Sequence, residues 1–133
     1  MDTAFESTEL RNVLKLALPL GSRLLTGYPN TPVNRVSHLR TRPPIFTNLG
    51  GHELVLVSTE SLAAAPNVLS IDSVIERLSE TRVSALGVQG ALSPRTQQIA
   101  KDRDFPLITL PSRTALMQVE RAVQRLLTDR ESQ

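Results

Sequence analysis

Histidine is the side chain that most often moves protons near neutral pH, and the sequence has two of them, His38 and His52. Neither lies in a recognisable motif, and His52 stands between Gly51 and Glu53, where a strand is predicted to begin. General acid–base chemistry needs a base, an orienting group and a reacting group to converge, and the sequence indicates no such set. We therefore expect His52 to be an ordinary surface histidine in a loop and neither histidine to be catalytic.

Signatures of phosphate, nucleotide and metal chemistry are also missing from the sequence. It has no Gly-x-Ser-x-Gly elbow, no Walker loop and no dinucleotide fingerprint. The absence of cysteine excludes zinc ribbons, iron–sulfur clusters and thiol nucleophiles. Asp102 and Asp104 flank Arg103 in what is predicted to be a solvated turn. We expect no metal and no cofactor, and a small enzyme is the function with the weakest support.

Polar residues follow each of three predicted parallel strands. In an open parallel sheet, ligands bind in the crevice beyond the carboxyl ends of the strands, and a glycine there lets the backbone approach a ligand closely. The same residue types are favoured in turns and helix caps, so a purely structural role stays open. The candidate ligand-binding residues are Ser58, Thr59, Glu60, Gln89, Gly90, Ser112 and Arg113.

Three arginines, Arg35, Arg40 and Arg42, precede the first parallel strand. Together they could form a cationic patch for a phosphate or carboxylate. Most arginine clusters of this kind are simply solvated, and that interpretation stays open as well.

The second half of the chain predicts alternating strands and helices. Residues 53–57 are a nearly continuous aliphatic run, which is typical of a strand buried on both faces of a parallel sheet. Further strands are predicted at 85–88 and 105–110, and helices at 71–82, from 94 to 101 or 102, and at 114–127. This order predicts an α/β fold with a mostly parallel sheet and flanking helices.

The first half predicts a helix over residues 9–18, capped by Ser7 or Thr8. Two extended stretches, 23–26 and 33–39, are joined by a turn and predict a small β-ribbon. Residues 40–51 contain Pro-Pro and Gly-Gly pairs and predict a loop with no regular element.

The last predicted helix carries apolar residues at spacings of 3, 4 and 3, the pattern of a coiled-coil seam. These residues are Leu116, Val119, Val123 and Leu126. Packing of the helix on its own sheet would produce the same pattern. We expect residues 114–127 to be a signalling or dimerisation helix and the protein to form a homodimer.

Length and composition limit the number of domains and the kinds of partner that we expect. The 133 residues fit one domain, expected over residues 8–127 with a flexible N-terminus at 1–7 and a fraying tail at 128–133. A net charge of +2 and 3% aromatic residues argue against direct nucleic-acid binding. No apolar run approaches the ~18 residues of a membrane span, so we expect no membrane contact and a cytoplasmic location.

Five strings, in their order along residues 10–127, resemble the N-terminal domain of the PucR family of bacterial transcription regulators. They are the opening helix with Leu14, the Gly27 turn followed by Thr31-Pro32-Val33, the run Gly50-Gly51-His52-Glu53-Leu54-Val55-Leu56, Ala85-Leu86-Gly87-Val88, and Pro106-Leu107-Ile108-Thr109-Leu110-Pro111. One departure is Val57-Ser58-Thr59-Glu60, where the family usually has a Thr-Thr-Gly turn.

The resemblance implies a regulatory module that precedes other domains, including a C-terminal helix-turn-helix, in longer proteins. The hypothesis is a non-enzymatic sensory domain that binds a small metabolite, with purine-pathway compounds as candidates, and signals through its last helix. The alternative is a ligand-free protein-interaction or dimerisation module.

Overall fold

The computed structural model describes residues 8–41, 45–46, 49–64 and 69–131. Within these ranges the chain forms short strands and helices in alternation. The strands are β1 (Thr8–Glu9), β2 (Arg23–Thr26), β3 (Pro32–Val33), β4 (Arg35–His38), β5 (Glu53–Ser58), β6 (Ala85–Gln89) and β7 (Leu107–Leu110). The helices are α1 (Leu10–Leu16), α2 (Thr59–Ala63), α3 (Ile71–Leu78), α4 (Pro94–Asp102) and α5 (Leu116–Glu131).

One sheet of five strands organises the domain, in the order β2-β7-β6-β5-β4. Strands β4, β5, β6 and β7 run parallel, and β2 runs antiparallel to β7 at one edge. Strand β5 is buried at every position, because its aliphatic side chains alternate between two covered faces. The predicted α/β fold with a mostly parallel sheet and flanking helices is therefore confirmed.

The predicted β-ribbon is wrong. Strands β2 and β4 lie at opposite edges of the sheet and do not pair with each other, while the small β3 pairs with β1. The turn after β2 packs against the entrance of β7: an added Cβ on Gly27 would lie 2.6 Å from the Cα of Pro106. The hydroxyl of Thr26 also donates a hydrogen bond to the carbonyl of Phe105 at 2.7 Å. These contacts hold β2 beside β7, so the chain crosses the sheet before it forms β4.

Two expectations near helix starts need correction. Thr8 lies in β1 and does not cap α1; the N-cap is Glu9, which makes no side-chain capping bond, and Ser7 lies outside the described residues. The connection after β5 contains a helix that the sequence did not predict, α2. Its N-cap is Ser58, whose hydroxyl accepts a hydrogen bond from the amide of Ser61 at 3.0 Å.

Other boundaries differ by a few residues. Helix α1 ends at Leu16, two residues earlier than predicted, and α3 ends at Leu78, four residues earlier. The predicted caps of α3 and α4 are confirmed, since the hydroxyls of Ser70 and Ser93 accept bonds from amides three residues on. Helix α5 runs through Glu131, so residues 128–131 are helical where a frayed tail was predicted. Residues 1–7 and 132–133 lie outside the described residues.

Helices cover both faces of the sheet. On one face, α1 and α5 pack over inward side chains of four strands; this core comprises Leu10, Val13, Leu18, Val33, Val36, Leu54, Leu56, Ala85, Ile108, Leu110, Val119, Val123 and Leu127. On the other face lie α3, α4, α2 and the described part of the 39–51 loop. That core comprises Leu39, Val55, Val57, Leu62, Val74, Ile75, Leu78, Val83, Leu86, Val88, Ala100, Phe105 and Leu107.

Helix α4 ends in a Schellman motif. The amide of Phe105 donates to the carbonyl of Ala100 at 2.9 Å, and the amide of Asp104 donates to the carbonyl of Lys101 at 3.1 Å. Asp104 has φ of +52°, the left-handed conformation that this position of the motif requires and that glycine adopts most easily. An aspartate here carries a conformational cost that glycine would remove.

We predict that Asp104→Gly raises the free energy of unfolding by about 0.5–1 kcal/mol, because the left-handed conformation costs an L-residue more than glycine. Urea denaturation measures the change. The matched control, Lys101→Gly at a right-handed position in the last turn of the same helix, should lower it by about 1 kcal/mol. Destabilisation by both substitutions would contradict the assignment of the cap.

Candidate functional site

A groove of about 550 Å³ lies between the end of β4 and the first three turns of α5. We call it the β4–α5 groove. It is lined by His38, Leu39, Arg40, Thr41, Leu56, Val57, Ser58, Ser61, Leu116, Met117, Glu120, Arg121 and Gln124. The groove opens at the carboxyl ends of β4 and β5, which is where open parallel sheets bind ligands.

The floor of the groove is apolar. Leu39, Leu56 and Val57 are buried residues of the two cores, and Leu116 is half-buried beside them. At the mouth, Met117 leaves 66% of its surface exposed, which is unusual for a large apolar residue in this chain. A flexible thioether over an apolar floor can adapt to a ligand that covers it.

The rim of the groove holds the charges. Nδ1 of His38 lies 3.0 Å from Oε1 of Glu120, and since an ionised carboxylate only accepts hydrogen bonds, the imidazole donates. This contact joins β4 to α5 across a sequence separation of 82 residues. Arg40 and Arg121 line the same groove, are exposed, and have no hydrogen bond or ion pair with other described residues.

Of the residues predicted to bind a ligand, Ser58 lines the groove. Its hydroxyl caps α2 and also contacts the hydroxyl of Ser61 at 2.7 Å. Thr59, the next residue, is half-buried outside the groove, and Glu60 is exposed.

Gln89, another predicted residue, lies at the neighbouring strand end and bonds to the segment that precedes α5. The side-chain amide of Gln89 donates to the carbonyls of Ser112 and Thr114, at 2.8 Å and 2.5 Å. The hydroxyl of Thr59 donates to the Gln89 carbonyl at 3.4 Å. These bonds clip the end of β6 to the segment before α5, so the Gln89 amide serves the connection between them.

Gly90 also belongs to this packed region. Its φ is +129°, and an added Cβ would lie 2.1 Å from the hydroxyl oxygen of Thr59. The glycine therefore accommodates Thr59 and not a ligand. Ser112 and Arg113 are exposed beyond the clip, and Arg113 lines a separate shallow cavity beside Pro19 and Leu20.

The apolar stripe of α5 faces the domain itself. Val119 and Val123 are buried in the core with Leu127, and Leu116 and Leu126 are half-buried against it. A partner subunit cannot reach Val123 while the helix is docked on the sheet. The residues predicted as a dimerisation seam thus hold α5 in place, and the adjacent side of the helix, together with Leu116, lines the groove.

Four charged residues of the groove were not predicted as a set. His38 was noted as an isolated histidine and Arg40 as part of a cationic patch, while Glu120 and Arg121 carried no signal. The predicted cationic patch does not come together in the groove. The side chain of Arg35 lies over Gly50, and Arg42 lies outside the described residues. The second histidine, His52, lies at the amino end of the parallel strands, in a smaller cavity with Arg82 and Arg103.

Metal-binding clusters and membrane-spanning helices are both absent from the described part of the chain. Across residues 8–41, 45–46, 49–64 and 69–131, no three or more His, Asp or Glu side chains are grouped so that they could hold a metal ion. Over the same ranges, no helix has the length and apolar character needed to cross a bilayer.

The fold and the groove define a small α/β domain with a ligand-sized surface cavity. The chain belongs to the purine catabolism regulatory protein-like family, PucR, whose model matches residues 12–127. It is a regulatory domain. A comparison with curated protein sequences found no match.

A solved structure shares the fold. It is the crystal structure of the CBS and DRTGG domains of the regulatory region of Clostridium perfringens pyrophosphatase, complexed with its activator diadenosine tetraphosphate. The TM-score is 0.55 at 14% identity, and the match covers 92% of this chain and 51% of that one. This chain thus corresponds to about half the length of that structure.

We predict that Gln89→Ala lowers the free energy of unfolding by about 1 kcal/mol, because the half-buried carbonyl of Thr114 and the exposed carbonyl of Ser112 lose their donor. Thermal denaturation measures the loss. Gln118→Ala on the exposed side of α5 is the matched control and should change stability little. Equal, negligible effects of the two substitutions would mean that the Gln89 amide is not a structural clip.

We predict that Val123→Glu unfolds the domain or destabilises it by about 3 kcal/mol or more, because a carboxylate would be buried without a partner. Arg125→Glu, an exposed position two residues on, should leave the fold intact. Circular dichroism reports whether each variant is folded, and sedimentation velocity reports whether it is a monomer or a dimer. A folded Val123→Glu monomer derived from a wild-type dimer would instead place this residue at a subunit interface.

Proposed function

We propose that this regulatory domain senses a small-molecule effector, without catalysing a reaction, by binding it in the β4–α5 groove and reporting its presence through α5. The observation that carries the proposal is the groove itself, in which one wall is strand-end backbone and the other is the helix. We also propose a cytoplasmic setting, with purine-pathway metabolites as the first compounds to test.

The size and chemistry of the groove support a small ligand. Its volume of about 550 Å³ falls within the range of roughly 300–1,000 Å³ that is usual for sites of small molecules. The floor is apolar, and the rim offers a few polar groups. In sites of small molecules, the apolar lining usually supplies affinity and the polar groups fix the orientation of the ligand. Ser58 lines the groove, but its hydroxyl is bonded to Ser61, and the groups of the Gln89 region bond to one another, so neither supplies a free polar group to the proposed site.

The similar structure and the family name support the same class of function. The neighbour is described as a regulatory region in complex with an activator, diadenosine tetraphosphate, so a regulatory region that contains this fold binds a small molecule. The family is described as purine catabolism regulatory protein-like, which makes purine-derived compounds a reasonable panel.

Helix α5 is suited to carry the signal because its two sides meet different partners. Val119 and Val123 fix it to the sheet, while Met117, Glu120 and Arg121 on another side line the groove. A ligand between β4 and α5 contacts both walls, so its affinity depends on how the helix lies. An effector shifts the position of α5 only to the extent that it binds one arrangement better than another.

We predict that at least one compound from a panel of purine-pathway metabolites raises the melting temperature of the domain, because a ligand that binds only the folded state stabilises it by mass action. Met117→Trp should abolish this shift by filling the mouth of the groove. Arg125→Trp, on the same helix outside the groove, is the matched control and should preserve it.

Two results would contradict the proposal. A shift that survives Met117→Trp would place the ligand elsewhere. No shift with any compound at saturating concentration would favour the ligand-free interaction module, for which Leu16 and Leu20, 64% and 100% exposed, are the specific observation.

A further inference from the structure

We propose, on the basis of the function above, that the effector of the β4–α5 groove is an organic oxyanion with a flat apolar body. Arg40 and Arg121 would hold its carboxylate or phosphate group, and the body would lie on the apolar floor. This goes beyond the presence of a ligand to its chemical class.

The charged side chains that line the groove favour an anionic ligand. Arg40 and Arg121 have no carboxylate partner among the described residues, although both line the groove. The carboxylate that does line it, Glu120, has its Oε1 engaged by His38 at 3.0 Å. Two guanidinium groups against one carboxylate leave the groove positive even when the imidazole is neutral. An anionic ligand is the complement of such a groove.

The shape of the arginine side chain also favours an oxyanion. A guanidinium presents a planar fork of donors that matches a carboxylate or phosphate with two parallel hydrogen bonds. Because Arg40 follows β4 and Arg121 belongs to α5, one oxyanion between them would be held from both walls of the groove. This is the contact through which a bound ligand could draw the helix and the strand together.

The other side chains of the groove indicate the chemistry of the rest of the ligand. The floor includes the buried side chains of Leu39, Leu56 and Val57, and the apolar surface open to a ligand is that of half-buried Leu116 and the exposed thioether of Met117. Sulfur contacts favourably with aromatic rings. The side chain of Glu120 is still 23% exposed, so its second oxygen can accept a bond from an N–H of the ligand. A flat ring with an N–H group and an oxyanion satisfies all three features.

Two matched pairs of compounds test the class and separate its two chemical sources. Adenosine monophosphate and adenosine differ by a phosphate, and orotate and uracil differ by a carboxylate. Isothermal titration with the full chain should give the anionic member of at least one pair an affinity about tenfold or more higher than the neutral member, the value of one charge-assisted hydrogen bond. Inorganic phosphate alone measures binding of the oxyanion without a body.

Arginine variants locate the effect. Arg40→Gln and Arg121→Gln should each weaken the anionic member about tenfold and leave the neutral member unchanged. Arg125→Gln removes a charge from the same helix outside the groove and is the matched control. Circular dichroism confirms that all three variants fold.

The outcomes separate this proposal from the one on which it rests. If a neutral compound binds as well as its anionic partner and Met117→Trp blocks both, the groove is a sensor site but the oxyanion class is overturned. Equal binding by inorganic phosphate and adenosine monophosphate overturns the role of the apolar body. Equal losses in Arg40→Gln, Arg121→Gln and Arg125→Gln would show general electrostatic attraction and also overturn the proposal, as would no binding by any of the compounds.

Discussion

Helix α5 stays on the sheet because Val119, Val123 and Leu127 are buried against strands β4 and β5. Burial of one such side chain contributes roughly 1.5–3 kcal/mol, which is a large share of the stability of a domain this size. The β4–α5 groove exists only while this contact holds, because the helix is one of its walls. The His38–Glu120 contact at the rim is exposed and adds little to stability by comparison.

This arrangement couples the groove to the position of the helix. The side of α5 that packs on the sheet is fixed by apolar contacts, whereas the groove side carries Glu120, Arg121 and the exposed Met117. A ligand that contacts β4 and α5 together therefore adds to the same docking that the core already favours. Helix α5 continues to Glu131, beyond Leu127 of the apolar stripe.

Strands β5, β6 and β7 could be predicted from sequence because each is a short aliphatic run with a helix signal after it. Residues 53–57 and the Ser93-Pro94 helix start are local features, and both are confirmed. The β-ribbon failed because the pairing of β2 depends on contacts with Phe105 and Pro106, about 80 residues away. No local pattern in β2 reveals which strand it joins.

The candidate ligand residues of the sequence lie at the ends of β5, β6 and β7, whereas the β4–α5 groove lies at the ends of β4 and β5. Because ligands bind beyond the carboxyl ends of parallel strands, the sequence indicated the region of Gln89 and Gly90. In the structure, this region connects β6 to the segment before α5 by hydrogen bonds. The groove lies instead at the ends of β4 and β5, and it depends on α5, whose stripe also fits a coiled-coil seam. The pairing of His38 with Glu120 has no sequence signature, since only the docking of α5 on β4 brings them together.

Binding of the effector between β4 and α5 can be tested by backbone NMR spectra recorded during titration with the tightest-binding compound. We predict chemical-shift changes concentrated at His38, Leu39, Ser58, Glu120 and Arg121, with the amino end of the sheet unchanged. Changes centred on His52, Arg82 and Arg103, with none at α5, would contradict it.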